Sequence, residues 1–254
     1  MDLIEHPPLF RLPGVPDHVV YMWIVMALLV VVSLMATRRM ALVPRGAQNA
    51  MEVVLEQFLR ELDETVGPEG RRYLPLIGTL GLFILTSNLM GLIPGLVAPT
   101  ANLNTTAACA LIVFVTYHVI GVRKQGFLPY LKHFAGPVPL PLKPLMFVIE
   151  IISHCARPLS LSLRLFGNMM AGHILLAIFF FMMGFDGMLG WAVKGSLGGL
   201  ALGAPATLIM VVFVVGFLLP LKILVSFIQA FIFVKLAMLY IAGALEEAEH
   251  GEHH

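Results

Sequence analysis

The sequence predicts an all-α integral membrane protein, built from upright transmembrane helices, a long and steeply tilted helical hairpin, and one amphipathic surface helix. Three observations carry that expectation. Of the 254 residues, 59% are hydrophobic and 12% charged, with a mean hydropathy of +0.90, whereas soluble domains carry about 25% charged residues. Apolar runs of about 18 residues or more, enough to cross a hydrocarbon core, recur along the chain. Two runs, 145–185 and 204–245, would each be roughly 60 Å long as helix. That is about twice the membrane thickness, so each must tilt or bend.

The elements follow in order. Residues 1–18 are polar and Pro-rich, with Asp2, Glu5 and Asp17 against Arg11 alone. They lack the basic start and small-residue cleavage site of a secretory signal, so 19–36 reads as a retained transmembrane helix. Within 46–66, Met51, Val54, Leu55, Phe58 and Leu62 recur at helical spacing, while Glu52, Glu56, Arg60, Glu61 and Asp63 fill the other face. This is an amphipathic helix lying on the membrane or on a partner subunit. Residues 74–97 form the next span, with Asn88 inside it and Pro94 and Pro99 near its end. A polar turn, 99–104, leads into the span 105–122. The connection 123–144 is basic and holds Pro137, Pro139, Pro141 and Pro144, which argues against regular helix there. The hairpin, 145–245, turns over near 186–203, and Pro158 and Pro220 offer places to bend. The tail, 246–254, reads as a frayed, solvated terminus.

Basic residues set the orientation. With alternating spans, Arg38, Arg39, Arg45, Arg60, Arg71, Arg72, Arg123, Lys124, Lys132 and Lys143 fall on one side and only Arg11 and Lys194 on the other. The N-terminus is therefore expected outside, and the C-terminus and both basic connections in the cytoplasm. Cys109 and Cys155 stand alone without metal-ligand spacing and read as packing residues. There is no internal repeat, Gly-rich phosphate loop or nucleophile–base constellation. No cofactor, metal site or nucleic-acid partner is expected, and any chemistry must proceed through another subunit.

Polar residues inside the hairpin are the candidates for function. Glu150, Arg157, Ser160, Ser162, Arg164, Asn168 and His173 interrupt its first helix; Lys222, Ser226 and Gln229 share a face of the second. At about 100° per residue, Arg157, Arg164 and Asn168 lie on one side, Glu150 falls about 40° from Arg164, and His173 points about 180° away. Ser160, Ser162, Asn168 and Gln229 are also consistent with helix–helix hydrogen bonding, Glu150 and Arg157 with reaching headgroups, and His173 with a satisfied neutral imidazole. Arg164 lies too deep to reach either interface. A charge at mid-membrane costs roughly 2.5 kcal/mol or more, so it faces water, a partner or an opposite charge. A structural ion pair is the plainer alternative.

The run from Arg157 to His173, with the core Leu163-Arg164-Leu165-Phe166-Gly167-Asn168, resembles the signature of the subunit a family of F-type, rotary ATP synthases. Three further segments agree: Gln229-Ala230-Phe231-Ile232-Phe233, Pro99-Thr100-Ala101-Asn102-Leu103-Asn104-Thr105-Thr106, and Asn88-Leu89-Met90-Gly91-Leu92-Ile93-Pro94. The resemblance covers about residues 40–245. It implies a stator whose hairpin lies against a rotating ring of c subunits, each with a buried carboxylate. Peripheral-stalk subunit b and the lipid bilayer are the other implied partners. Two aqueous half-channels would meet the ring on opposite flanks of Arg164, which favours the ionised carboxylate and blocks leakage of the translocated H⁺ or Na⁺. The resemblance pairs Arg164 with Gln229, and an antiparallel hairpin in that register sets His173 near Lys222 on the outer side. Glu150 is then implied in the inner half-channel, with Ser160 and Asn168 along the pathway.

The chain departs from the family where Lys222 stands in place of one member of a histidine–carboxylate pair, and where Asn102 replaces a common aspartate. Lys235 has no counterpart and no account in the sequence. The alternative to a stator is a secondary transporter using Arg164 to bind an anionic substrate, which would favour inverted repeats; a third reading is a membrane scaffold with a buried ion pair.

Overall fold

The chain's computed structural model describes residues 12–38, 40–93, 95–133, 140–183, 190 and 202–251. Arg11, Arg39, Pro94, Pro137, Pro139, Lys194 and nearly all of the expected turn at 186–203 lie outside the described residues. Among the described residues there is helix but no strand, and five helices are long and apolar enough to span a membrane.

Helix α1, Asp17–Thr37, starts after Pro16 with Asp17 in its first turn, where a carboxylate meets the positive helix end. It buries Tyr21 and Val25 against Met90, Leu96 and Val97, and the Tyr21 hydroxyl donates to the Gly95 carbonyl at 3.2 Å. Trp23, Val30 and Leu34 stay exposed, as suits a helix facing lipid. Helix α2, Ala47–Thr65, is the amphipathic one. It packs on its own chain, on α1 and on the two helices defined next as α3, Leu74–Met90, and α8, Leu219–Gly251. Gly81 of α3 makes room for Phe58, since a Cβ there would approach the Phe58 ring to 2.9 Å. Beyond α2, Arg71 grips Asp63 with two hydrogen bonds, 2.9 and 2.8 Å.

Helix α3 ends at Met90, seven residues short of the expected 97. Gly91 follows it, at a place where the space a side chain would need is filled by Ala98 and His173. Helix α4, Leu103–Gln125, is capped by Asn102, whose Oδ1 accepts the Asn104 N–H at 2.9 Å in the usual N-cap manner. Its far end is tied to the Pro68–Tyr73 turn ahead of α3 by Lys124–Glu69 at 2.6 Å. A short helix α5, Phe127–His133, corrects the expectation of no regular helix between 123 and 144. Gly126, at φ 83°, turns the chain, and Pro129 sits in the first turn of α5, where a missing N–H costs nothing.

Helix α6, Lys143–Met183, runs for 41 residues straight through Pro158. The returning arm comprises α7, Ala204–Phe213, a π-helical turn Val214–Leu218, and α8. The π turn ends two residues before Pro220, which has no N–H to continue an α-helical ladder. Helix α8 runs on to Gly251, through an Ala- and Glu-rich end made of strong helix formers.

Helix α6 packs chiefly on α4, and α8 on α3 and α4. Their junction holds the largest apolar cluster, including Leu62, Ile77, Ile84, Tyr117, Leu165, Phe233 and Met238. The opposite faces of the hairpin helices expose Leu159, Leu163, Met170, Ile174, Leu224, Phe227 and Phe231. So continuous an apolar surface is suited to hydrocarbon or a partner.

Candidate functional site

The two hairpin helices run antiparallel, as two contacts along them show. A Cβ on Gly172 would lie 3.1 Å from Lys222 Cε, and the Arg157 guanidinium sits 5.6 Å from the Tyr240 ring centroid. These contacts bracket Arg164 opposite the turn of α8 that begins at Gln229, the register expected from the sequence.

Arg164 is exposed on the apolar outer face of α6 and, among the described residues, makes no hydrogen bond or ion pair. Ser160, one turn earlier, is exposed too. The other polar hairpin residues turn inward. Lys222 and Gln229 are buried, Asn168 and His173 half-buried. The His173 imidazole presses on Gly91, where a Cβ would meet its Nε2 at 2.7 Å, and Lys222 Nζ donates to the Gly91 carbonyl at 3.4 Å. His173 and Lys222 are thus neighbours around the C-terminal end of α3.

Asn88 fastens this end. The Thr100 hydroxyl donates to its Oδ1 at 2.7 Å, and its Nδ2 donates to the Ser226 carbonyl at 3.4 Å. One side chain therefore joins α3, the 99–101 turn and α8. Close by, Ser87 Oγ, Asn168 Nδ2, His173 Nε2, Ser226 Oγ and Gln229 Nε2 are buried without a hydrogen-bond partner in the chain. Buried polar atoms are nearly always paired, with protein or with water, so these atoms, on α3 and on both arms of the hairpin, are suited to ordered water. Asn102 stands apart from them: besides capping α4, its Nδ2 lies 3.3 Å from His18 Nδ1.

Glu150 is half-buried toward the other end of α6, and its carboxylate lies 3.2 Å from Nε2 of the buried His154. The Tyr117 hydroxyl stands 3.3 Å from His154 Nδ1, and the His118 and His154 rings are 5.4 Å apart, edge to face. None of these three partners was singled out from the sequence. The spacing Glu150–His154, one helical turn, was the available signal. The structure also supplies the account Lys235 lacked: its ammonium donates to Glu61 Oε2 at 2.5 Å and to Thr65 Oγ1 at 2.8 Å, tying α8 to α2. Of the apolar face of α2, Leu62 and Phe58 pack into the core of the same chain, whereas Val54 stays exposed.

Residues 19–242 match the family described as ATP synthase A chain. The chain is 49% identical over 232 residues to ATP synthase subunit a of Geobacter sulfurreducens, covering 91% of this chain and 89% of the relative. It is 53% identical over 231 residues to ATP synthase subunit a 1 of Syntrophotalea carbinolica, covering 91% and 86%. With ATP synthase subunit a 1 of Pelobacter propionicus the identity is 48% over 246 residues, covering 95% and 93%.

Proposed function

Since the chain belongs to the ATP synthase A chain family, we propose that it is the membrane stator of a rotary ATP synthase, presenting Arg164 to the buried carboxylates of a turning c-subunit ring. At the coarser level it is an integral membrane, proton-transporting component of an ATP synthase. The observation that supports the finer reading is Arg164 itself, a permanent cation on an exposed apolar face with no acidic partner among the described residues of its own chain. Such a charge is costly in hydrocarbon, so its counter-charge belongs on the neighbour that covers this face.

The chemistry follows from two opposed effects. A nearby cation favours the ionised carboxylate, and burial in an apolar setting favours the protonated one. A carboxylate carried past Arg164 gives up its proton, and on re-entering hydrocarbon it must take one. Arg164 remains charged throughout, so it also stops ions from passing directly between the two sides. The outer half-channel is the row of unpartnered polar atoms around Ser87, Asn168, His173, Ser226 and Gln229, with Lys222 beside it and Asn102 with His18 near the mouth. The inner half-channel opens at Glu150, and Ser160 lies between it and Arg164. In this reading the N-terminus is outside and the C-terminus cytoplasmic, and subunit b of the peripheral stalk holds the chain against rotation.

Arg164→Ala tests the proposal in inverted vesicles carrying the assembled complex. The expected result is loss of ATP-driven proton pumping with the ring subunit still copurifying. Pumping at the wild-type rate would overturn it.

A further inference from the structure

Where α6 packs on α4 lies a group of titratable side chains of which the stator reading uses only Glu150. Glu150 Oε1 lies 3.2 Å from His154 Nε2, and the other nitrogen of that ring lies 3.3 Å from the Tyr117 hydroxyl. The His118 ring stands 5.4 Å from that of His154 and 4.3 Å from that of Tyr117. Its Nδ1 is fixed 2.9 Å from the Phe114 carbonyl, which leaves Nε2 for exchange. His118 is half-buried and reaches Tyr130 on α5, 6.0 Å between centroids. Gly121 allows that approach, since a Cβ there would strike the Tyr130 ring at 2.5 Å.

This arrangement is costly for a merely structural purpose. His154 is 6% exposed and Tyr117 2%, and packing here would be served as well by Leu and Phe. An imidazole with a carboxylate on one nitrogen and a hydroxyl on the other is instead suited to taking a proton on one side and releasing one on the other. Arg157 and Tyr240 border the group.

We propose that His154 and His118 relay protons between Glu150 and the corner where α4 turns into α5, so that the inner pathway runs through the chain where α6 packs on α4. A proton arriving on the Glu150 carboxylate moves to His154 Nε2 as the proton on Nδ1 leaves for His118, directly or through the Tyr117 hydroxyl. His118 Nε2 then gives that proton to water at the corner; both rings are neutral again, His154 in its other tautomer until its ring turns over, and no bond other than N–H and O–H is made or broken. This inference rests on Glu150 lying in the inner half-channel.

The test is passive proton conduction in vesicles stripped of the soluble catalytic sector, with assembly checked by copurification of the ring. His154→Gln keeps a donor and an acceptor at similar reach but carries no titratable ring. It should slow conduction by about a hundredfold, the low end for loss of a positioned proton carrier. His154→Ala should behave alike and recover when imidazole is added, a response that a packing role would not give. Wild-type conduction in assembled His154→Gln complexes, or no recovery by imidazole, would overturn the relay. Arg164→Ala, assayed for ATP-driven pumping in unstripped vesicles, separates the two proposals: if it pumps normally the stator reading fails, whereas loss of its pumping beside unaffected conduction in His154→Gln sinks the relay alone.

Discussion

Gly91→Ala puts the junction of α3 with the hairpin to a direct test. The added Cβ would lie 2.7 Å from Ala98 Cβ, 2.7 Å from His173 Nε2 and 2.8 Å from His173 Cε1. Favourable contacts between carbon atoms fall at about 3.5–4.0 Å, so the overlap is roughly 1 Å on two sides. Ala98 Cβ is fixed to the backbone and cannot rotate away; the imidazole must move instead, and with it the groups around the Gly91 carbonyl, including Lys222. Backbone strain contributes nothing, because Gly91 has φ −69°, which any residue adopts. Overpacking of this kind costs about 1–3 kcal/mol, or roughly a tenfold to hundredfold shift in a folding equilibrium. Thermal inactivation of the assembled complex should come earlier than in the wild type, and proton conduction through it should be slower. Gly78→Ala is the control: it also lies in α3, a Cβ there meets nothing within 4 Å, and relief of helix-interior glycine makes it neutral or slightly stabilising. Equal stability and conduction in wild type and Gly91→Ala, with Gly78→Ala behaving as stated, would refute the steric reasoning.

Lys235→Met should destabilise the α2–α8 contact by about 1.5–3 kcal/mol, the range for hydrogen bonds to charged groups. Pairing it with Glu61→Gln should restore part of the loss in a double-mutant cycle of thermal inactivation. Lys222→Ala and His173→Ala should each reduce coupled proton flow, and near-normal flow in both would remove these residues from the outer pathway. The pair of hydrogen bonds from Arg71 holds the Asp63 carboxyl below its ordinary range. A depressed folded-state pKa gives stability that is present above the unfolded value and lost as pH falls through the folded one. The mobility of a nitroxide at position 64 should therefore rise only in acid, and Asp63→Asn should remove that rise.

The membrane-spanning helices were legible from apolar length, because hydrocarbon leaves the backbone no other way to satisfy its hydrogen bonds. The overlong hairpin and the depth of Arg164 followed from counting residues. Contacts between helices were not legible. Nothing local to Gly91 says that His173 and Ala98 close around it, and Lys235 had no meaning until α2 was seen beneath it. The end of α3 shows the same limit: its apolar character continues toward Val97, but after Met90 the backbone passes into turns, Leu92 N–H to Leu89 and Ile93 N–H to Met90. The histidines where α6 packs on α4 escaped notice for a different reason. His118 and His154 belong to separate helices, so only their side-by-side packing makes them a pair.

The π turn ahead of Pro220 has a consequence for how the returning arm tolerates change. One surplus residue in a helical turn shifts everything after it by about 100° in phase. Lys222, Ser226 and Gln229 are thus aimed independently of the lipid-facing stripe on Ala204–Phe213. Deleting one residue among 214–218 would leave composition and span length almost unchanged, yet it would swing the whole polar seam out of alignment with Asn88 and the first arm of the hairpin.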